Sequence, residues 1–223
     1  MEQRVVAEIV GPAGAGKSTL ARALRERDGR VRTGLSVWGL PPRLLLTNAF
    51  TSLPILVGFY RGGRRLSWGE VNLVIRLNAL HQLLGRKSFK RDHKALLLDE
   101  GTVFALVKLH AFGREGEGAE AGRLDRWARG LLRRWAERLD AVIWLDAPDD
   151  VLARRIRERD KPHRVKGGTD EEIYAFLARY RRSYEQIISE LTAHNGLKVY
   201  RFSAGQDTPE RMAEIVLSQM RET

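Results

Sequence analysis

The stretch GPAGAGKST (residues 11–19) follows directly on the apolar run VVAEIV (5–10) and opens an amphipathic segment that continues to about Asp28. Its spacing is G-x-x-x-x-G-K-[ST], in the strand-then-helix context that gives this motif its chemistry. Glycines at 11, 14 and 16 let the backbone turn its N–H groups inward around phosphate oxygens. The helix that begins there adds the positive end of its dipole. Lys17 can reach the terminal phosphates of a nucleoside triphosphate, and the Ser18 hydroxyl can serve Mg²⁺. The whole loop (Gly11, Pro12, Ala13, Gly14, Ala15, Gly16, Lys17, Ser18 and Thr19) is expected to contact a bound nucleotide such as ATP.

Outward from the loop, short apolar runs alternate with longer amphipathic ones, the pattern of a parallel α/β sheet. VRTGLSVWG (31–39) is a weaker second strand, ALLLDEG (95–101) a third, AVIWLDAP (141–148) a fourth and KVYRFSA (198–204) a fifth. Between them lie helical patterns over 66–86, 124–140, 149–160 and 171–191, and a last one after Pro209. Asp149 or Asp150 is expected to cap the helix at 149–160, and Asp207 or Thr208 the final one. GREGEGAEAG (113–122) is expected to be a flexible loop. One domain spanning 1–223 is expected, since no linker or repeat interrupts the pattern.

The chain has 223 residues, a net charge of +11, a hydrophobic fraction of 43% and no cysteine. Disulfide frameworks and thiolate metal sites are therefore excluded. The excess charge, mostly arginine, favours an anionic partner without choosing among nucleotide, nucleic acid and membrane surface. LLLTNAFTSLPILVGFY (44–60) is too short and too polar to span a bilayer, and reads instead as a buried or cleft-lining helix. The N-terminus lacks the pattern of a signal peptide, so a cytoplasmic protein with no membrane partner is expected.

Two further segments bear chemistry. LLLDEG carries Asp99 and Glu100 at the end of the third strand, where one carboxylate can hold Mg²⁺ and the other can take a proton from an attacking nucleophile. Neighbours in a strand point to opposite faces, so the two need not share a role. We assign Asp99 to the metal and Glu100 to the acceptor, with the reverse assignment open. LARRIRERDKPHRVKG (152–167) carries seven Lys or Arg and two acidic residues. Arg155 and Arg159 are four apart and would share one helix face, whereas Arg157 points elsewhere and reads as solvated.

With the phosphate loop at the first strand, acidic residues after the third, and LDAP…RRIRER after the fourth, the chain resembles the nucleoside and nucleotide kinases, the thymidylate-kinase group in particular. The resemblance implies a three-layer α/β P-loop kinase fold with a five-stranded parallel sheet in the order 2-3-1-4-5. Helices would cover both faces, and an arginine-rich lid over about 154–168 would close on ATP. It assigns lid roles to Arg155 and Arg159, with Arg154 or Arg164 as further candidates, and places Ala204 and Gly205 in the loop that holds adenine. The chain departs from the thymidylate-kinase pattern in having Asp99-Glu100 where that group has Asp-Arg. It also has WGLPPR (38–43) in place of an acidic, Gly-rich turn.

Ligands of such sheets bind beyond the carboxyl ends of the strands, so residues 39–94 should form the acceptor side. From Phe59 to Lys94 there are nine Lys or Arg against Glu70 and Asp92. Arg76 and Arg64 are the candidate acceptor ligands there, and Trp38, Phe50, Tyr60 and Trp68 are aromatics that could stack on a base or simply pack. The five histidines show no metal-ligand spacing. The expected activity is ATP- and Mg²⁺-dependent phosphoryl transfer to a small-molecule acceptor, a nucleoside or nucleotide. Two other readings stay open: a polynucleotide end kinase, for which the charge speaks, and a regulatory NTPase in which Glu100 polarises water. A homodimer is left open as well.

Overall fold

The computed structural model describes residues 4–61, 66–85, 93–112, 133–134 and 137–221. The segments read above as a flexible loop (113–122) and most of the helix at 124–140 lie outside the described residues, as does Arg64. Five parallel strands, β1 (Val5–Val10), β2 (Val31–Leu35), β3 (Ala95–Asp99), β4 (Ala141–Asp146) and β5 (Lys198–Ser203), stand in the order β2-β3-β1-β4-β5. Around them lie α1 (Lys17–Arg27), α2 (Pro42–Thr51), α3 (Leu53–Arg61), α4 (Trp68–Gly85) and α5 (Thr102–Phe112). Then come α6 (Asp149–Glu158), α7 (Asp170–Asn195) and α8 (Pro209–Arg221).

Strand periodicity explains the layers. In β3, Leu96 and Leu98 face one hydrophobic cluster while Ala95 and Leu97 face another; in β4, Val142 and Trp144 oppose Ile143 and Leu145 in the same way. The first cluster is closed by α4, α5 and the C-terminal part of α7, the second by α1, α6 and α8. Every central strand is thus buried on both sides, which is why its sequence is a continuous apolar run.

Local chemistry sets the boundaries. The second strand ends at Leu35 rather than Gly39, because Ser36 turns the chain: its hydroxyl accepts from the Trp38 and Gly39 amides. The segment 44–60 is two helices, not one. Pro54 lacks an N–H and its ring opposes a continuous helix, so α2 ends at Thr51 and α3 begins at Leu53. The segment is not cleft-lining and is buried on one face only: Leu44, Asn48 and Ile55 face the core, while Leu46, Phe50, Leu53, Val57 and Tyr60 are exposed, Phe50 to 75%.

At α6 the N-cap is Pro148, and Asp149 and Asp150 lie in the first turn with no cap bond. Asp149 is instead engaged by Arg181 of α7. The Arg181 guanidinium donates to Asp149 (2.5 Å), to both Asp146 oxygens (2.7 and 3.0 Å) and to the Ala147 carbonyl (2.9 Å). The final helix is capped by Thr208, whose hydroxyl accepts from the Arg211 amide.

α7 begins with a capping box, Thr169 accepting from the Glu172 amide while Glu172 accepts from the Thr169 amide. Thr169→Val should remove about 1 kcal/mol and lower the melting temperature by about 2–4 °C. Thermal unfolding followed by circular dichroism checks it, and an unchanged midpoint would show that this cap does not limit stability.

Candidate active site

β1 ends in a turn whose backbone passes through the left-handed region at Gly11, Gly14 and Gly16. Gly11 has a second constraint: a Cβ there would lie 2.0 Å from the carbonyl oxygen of Leu145 in β4. The loop is pressed against the neighbouring strand, and only glycine allows that approach. The Lys17 ammonium folds over the loop and donates to the carbonyls of Gly11 (2.7 Å) and Pro12 (2.9 Å). Burial lowers it to about 8; Asp99 and Glu100 oppose that shift and Arg159 adds to it.

The loop forms one wall of a cleft of about 940 Å³ at the carboxyl edge of the sheet. All nine residues from Gly11 to Thr19 line it, together with Asp99, Glu100, Arg155, Arg159, Ala204 and Gly205. Fifteen residues singled out from scattered sequence positions therefore share one cavity. Asp99 and Glu100 do so although they are adjacent. The expectation of opposite faces fails because Glu100 leaves the strand with φ 55°, which swings its side chain back toward the cleft.

Arg155 lies along the phosphate loop and donates to the Gly14 carbonyl (2.8 Å). Arg159 is not on its helix face: α6 stops at Glu158, and Arg159 is extended, reaching the cleft as the first residue of the following loop. Arg164 lines the cleft and Arg154 does not. Arg157 is not merely solvated; it is bonded to the Gly168 carbonyl (3.3 Å) and to Asp170 (2.6 Å). Those bonds tie the end of the 159–168 loop to α6 and α7, and the Lys166 ammonium, donating to the Arg159 carbonyl, braces the loop internally.

Arg76 is outside the cleft lining. Its guanidinium donates to the carbonyls of Val37 (3.0 Å) and Trp38 (3.2 Å) and to Asn72 (3.0 Å), and lies over the Trp38 ring. It supports the loop after β2, whose Val37 amide in turn donates to the Glu100 carbonyl (3.1 Å). The arginine that interrupts an apolar helix face thus has Nη1 on two main-chain carbonyls and Nε on the Asn72 side chain. Of the aromatics considered for stacking, Trp38, Phe50, Tyr60 and Trp68, none lines the cleft.

Other side chains do. Phe104 and Lys108 of α5, Phe176 and Tyr180 of α7, and Lys161, Pro162 and His163 of the loop after α6 complete the walls. Phe104 and Lys108, like Phe176 and Tyr180, are four apart on their helices, a spacing that marks a shared face but not which face. His163 packs edge-on against Phe176, and burial, with Arg159 and Lys17 nearby, lowers it below the usual imidazole value. Burial pushes the Tyr180 phenol up to about 12, with Glu100 adding to the shift, so it remains a neutral hydroxyl.

A carboxylate that sequence reading passed over lies beneath the site. Glu8 of β1 is fully buried and accepts from the amides of Gly101, Val103 and Phe104. Burial pushes it up to about 7 against those bonds, which favour the charged form. The only sequence signal was an acidic residue inside an otherwise apolar strand.

Among the described residues, no group of three or more His, Asp or Glu could hold a metal ion. Mg²⁺ keeps waters and phosphate oxygens and takes only one or two protein oxygens. The Ser18 hydroxyl and the Asp99 carboxylate, on the same cleft, are of the right kind.

No family profile matches the sequence. No curated protein matches it either. Among solved structures, the chain is similar to deoxyadenosine kinase from M. mycoides with bound dATP, at 14% identity over 97% of this chain and 99% of that one, with a TM-score of 0.57. A second structure of that enzyme, with products dCMP and dCDP, matches at 14% identity over 98% and 100%, with a TM-score of 0.55. Shikimate kinase from Acinetobacter baumannii in complex with shikimate matches at 17% identity over 99% and 95%, with a TM-score of 0.51. At such identities the likeness is one of fold, and the chain has the P-loop kinase fold. Among the described residues, no helix is long and apolar enough to cross a membrane.

The Lys17 amine should titrate near pH 8 in the ligand-free protein, charged below and neutral above. A pH series of lysine ¹³Cε shifts, with Lys17→Arg to assign the signal, checks it. A midpoint above 10 would mean that burial does not control this amine.

Proposed function

We propose that the protein is an ATP- and Mg²⁺-dependent phosphotransferase that moves the γ-phosphoryl group to a small-molecule acceptor, a nucleoside or nucleoside monophosphate. The observation that carries this reading is the shared cleft. Phosphate loop, paired carboxylates and arginines line a cavity of about 940 Å³, large enough for a nucleotide and a second small ligand side by side. The similar structures are kinases of small molecules, one with dATP and one with shikimate bound.

Phosphoryl transfer asks a protein for positioning and charge stabilisation. In this reading the loop amides and Lys17 cradle the phosphates, and Ala204 and Gly205 border the base. Mg²⁺, held through Ser18 and Asp99, would neutralise phosphate charge when bound. An acceptor oxygen attacks the γ-phosphorus and the bond from that phosphorus to the β,γ-bridging oxygen breaks, releasing ADP. Where the acceptor is a hydroxyl, its proton passes to Glu100; a monophosphate attacks through an oxygen that is already ionised. Arg155 and Arg159 stabilise the charge on the transferring group, with the 159–168 loop acting as a lid. Phe104, Phe176 and Tyr180 offer the acceptor a planar wall, and Lys108 a cation. The net charge of +11 then has a local use: Lys17, Lys108, Arg155, Arg159, Lys161 and Arg164 all line the cleft.

A coupled assay with ATP, Mg²⁺ and a panel of nucleosides, nucleoside monophosphates, sugar alcohols and a 5′-hydroxyl oligonucleotide tests the reading. ADP release should depend on one small acceptor. Equal release with and without every acceptor would identify an NTPase, and dependence on the oligonucleotide an end kinase. Lys17→Ala should lower kcat by about 10²–10³-fold. Arg159→Ala should lower it by about tenfold or more with the KM for ATP little changed; an unchanged kcat removes Arg159 from the reaction.

A further inference from the structure

Glu8 is a charged residue at the centre of the sheet, opposite Leu98 of β3 and Val142 of β4. It is fully buried and belongs to none of the cleft's walls. Its carboxylate reaches past the end of β3 into the turn that follows Asp99 and Glu100. Oε1 accepts from the Gly101 amide at 3.0 Å and the Phe104 amide at 2.9 Å, and Oε2 from the Val103 amide at 2.8 Å. Amides in the first turn of a helix have no partner within the helix, and a residue just before the helix ordinarily supplies one. Here the acceptor comes from a different strand, 93 residues earlier in the chain.

The fit is close on every side. A Cβ at position 101 would lie 2.8 Å from the Leu98 Cβ and 2.9 Å from the Glu8 carboxyl, so the residue between carboxylate turn and helix must be glycine. Immediately before it, Glu100 has φ 55°, a conformation that a non-glycine residue keeps only where its surroundings over-determine it. Two contacts do so: the Val37 amide on the Glu100 carbonyl from outside, and Glu8 on the following amides from within.

We propose that Glu8 is the positioning residue of this site: its buried carboxylate clamps the Gly101, Val103 and Phe104 amides and thereby holds Asp99 and Glu100 facing the same cleft. A single neutral cap could not do this, because two oxygens are needed for three donors. Glutamine shows why two acceptor oxygens matter as well as size. Its amide would set one N–H group against the backbone donors that now meet an oxygen. The functional consequence rests on the reading of Asp99 as the Mg²⁺-side carboxylate.

Glu8→Gln tests the proposal with no acceptor needed. The probes are ATP with Mg²⁺ and ATP with a chelator, their dissociation constants read by calorimetry, together with amide hydrogen exchange over residues 101–104. The variant should bind metal-free ATP as the wild type does, since the phosphate loop is untouched. The enhancement of affinity by Mg²⁺ should fall by about tenfold, the size expected when support behind a metal ligand is lost. Exchange at the three amides should accelerate, and Asp99→Asn should lose the same enhancement with those amides still protected.

A full Mg²⁺ enhancement in Glu8→Gln would overturn the proposal even if the variant is less stable, because a merely structural role moves stability and not the metal response. If the wild type shows no Mg²⁺ enhancement, the metal reading of Asp99 fails on its own, and amide exchange then decides the clamp. Should Glu8→Gln not fold, Gly101→Ala crowds the same contact from the other side and should give the same pattern. Fast exchange of the three amides in the wild type overturns the clamp without any variant.

Discussion

The approach of β1 to β4 at Gly11 is the constraint on which the rest depends. The Leu145 carbonyl occupies the space where any side chain at position 11 would begin. With that contact made, the loop turns sharply at the sheet's carboxyl edge and α1 starts with its amides directed at the cleft. Everything else in the site is arranged around that point by the neighbours of β1. β3 on one side delivers the two carboxylates, and β4 on the other leads into the arginine-bearing helix. Parallel strands make this possible, because all their carboxyl ends meet along one edge.

Each of those deliveries has its own fastening. Arg181 joins the end of β4 to the first turn of α6, so that helix leaves the sheet at a defined angle and Arg155 lies against the phosphate loop. The carboxylate turn is gripped through main-chain groups by Val37 and Glu8. Arg76 belongs to the same scheme one step back, holding the carbonyls of Val37 and Trp38. Several charged groups in this protein are bonded to backbone, Glu8 and Arg76 away from the cleft and Lys17 and Arg155 along its wall. The 159–168 loop is braced internally by the Lys166 bond to the Arg159 carbonyl, and Arg157 of α6 ties its end to the start of α7.

How much of this was legible beforehand depended on whether a signal was local. The phosphate loop could be read residue by residue, because its glycines answer to the turn's own backbone and its lysine folds back on the carbonyls of Gly11 and Pro12. Asp99 and Glu100 could be found as carboxylates closing a buried strand, but not their common orientation, which depends on one left-handed residue braced from elsewhere. Arg159 was found in the right place for the wrong reason: four-residue spacing assumed a helix that ends one residue earlier. The segment 44–60 could be judged too short and too polar for a bilayer span, but its placement could not be read. Leu46, Phe50, Leu53, Val57 and Tyr60 are exposed, because whether an apolar side chain is covered depends on elements elsewhere in the chain.

The sequence by itself determined the five strands, the glycine-rich loop with Lys17 and fifteen of the residues that meet in the cleft, since these follow from short-range pattern and from the rule that such strands carry their ligands at the carboxyl edge. Only the tertiary structure decided which aromatics and cations form the remaining walls and that Arg76 lies outside them, on the carbonyls of Val37 and Trp38. It alone showed that a glutamate inside β1 reaches the helix after β3. Those choices depend on side chains meeting across elements far apart in the chain, and a linear pattern holds no record of that distance.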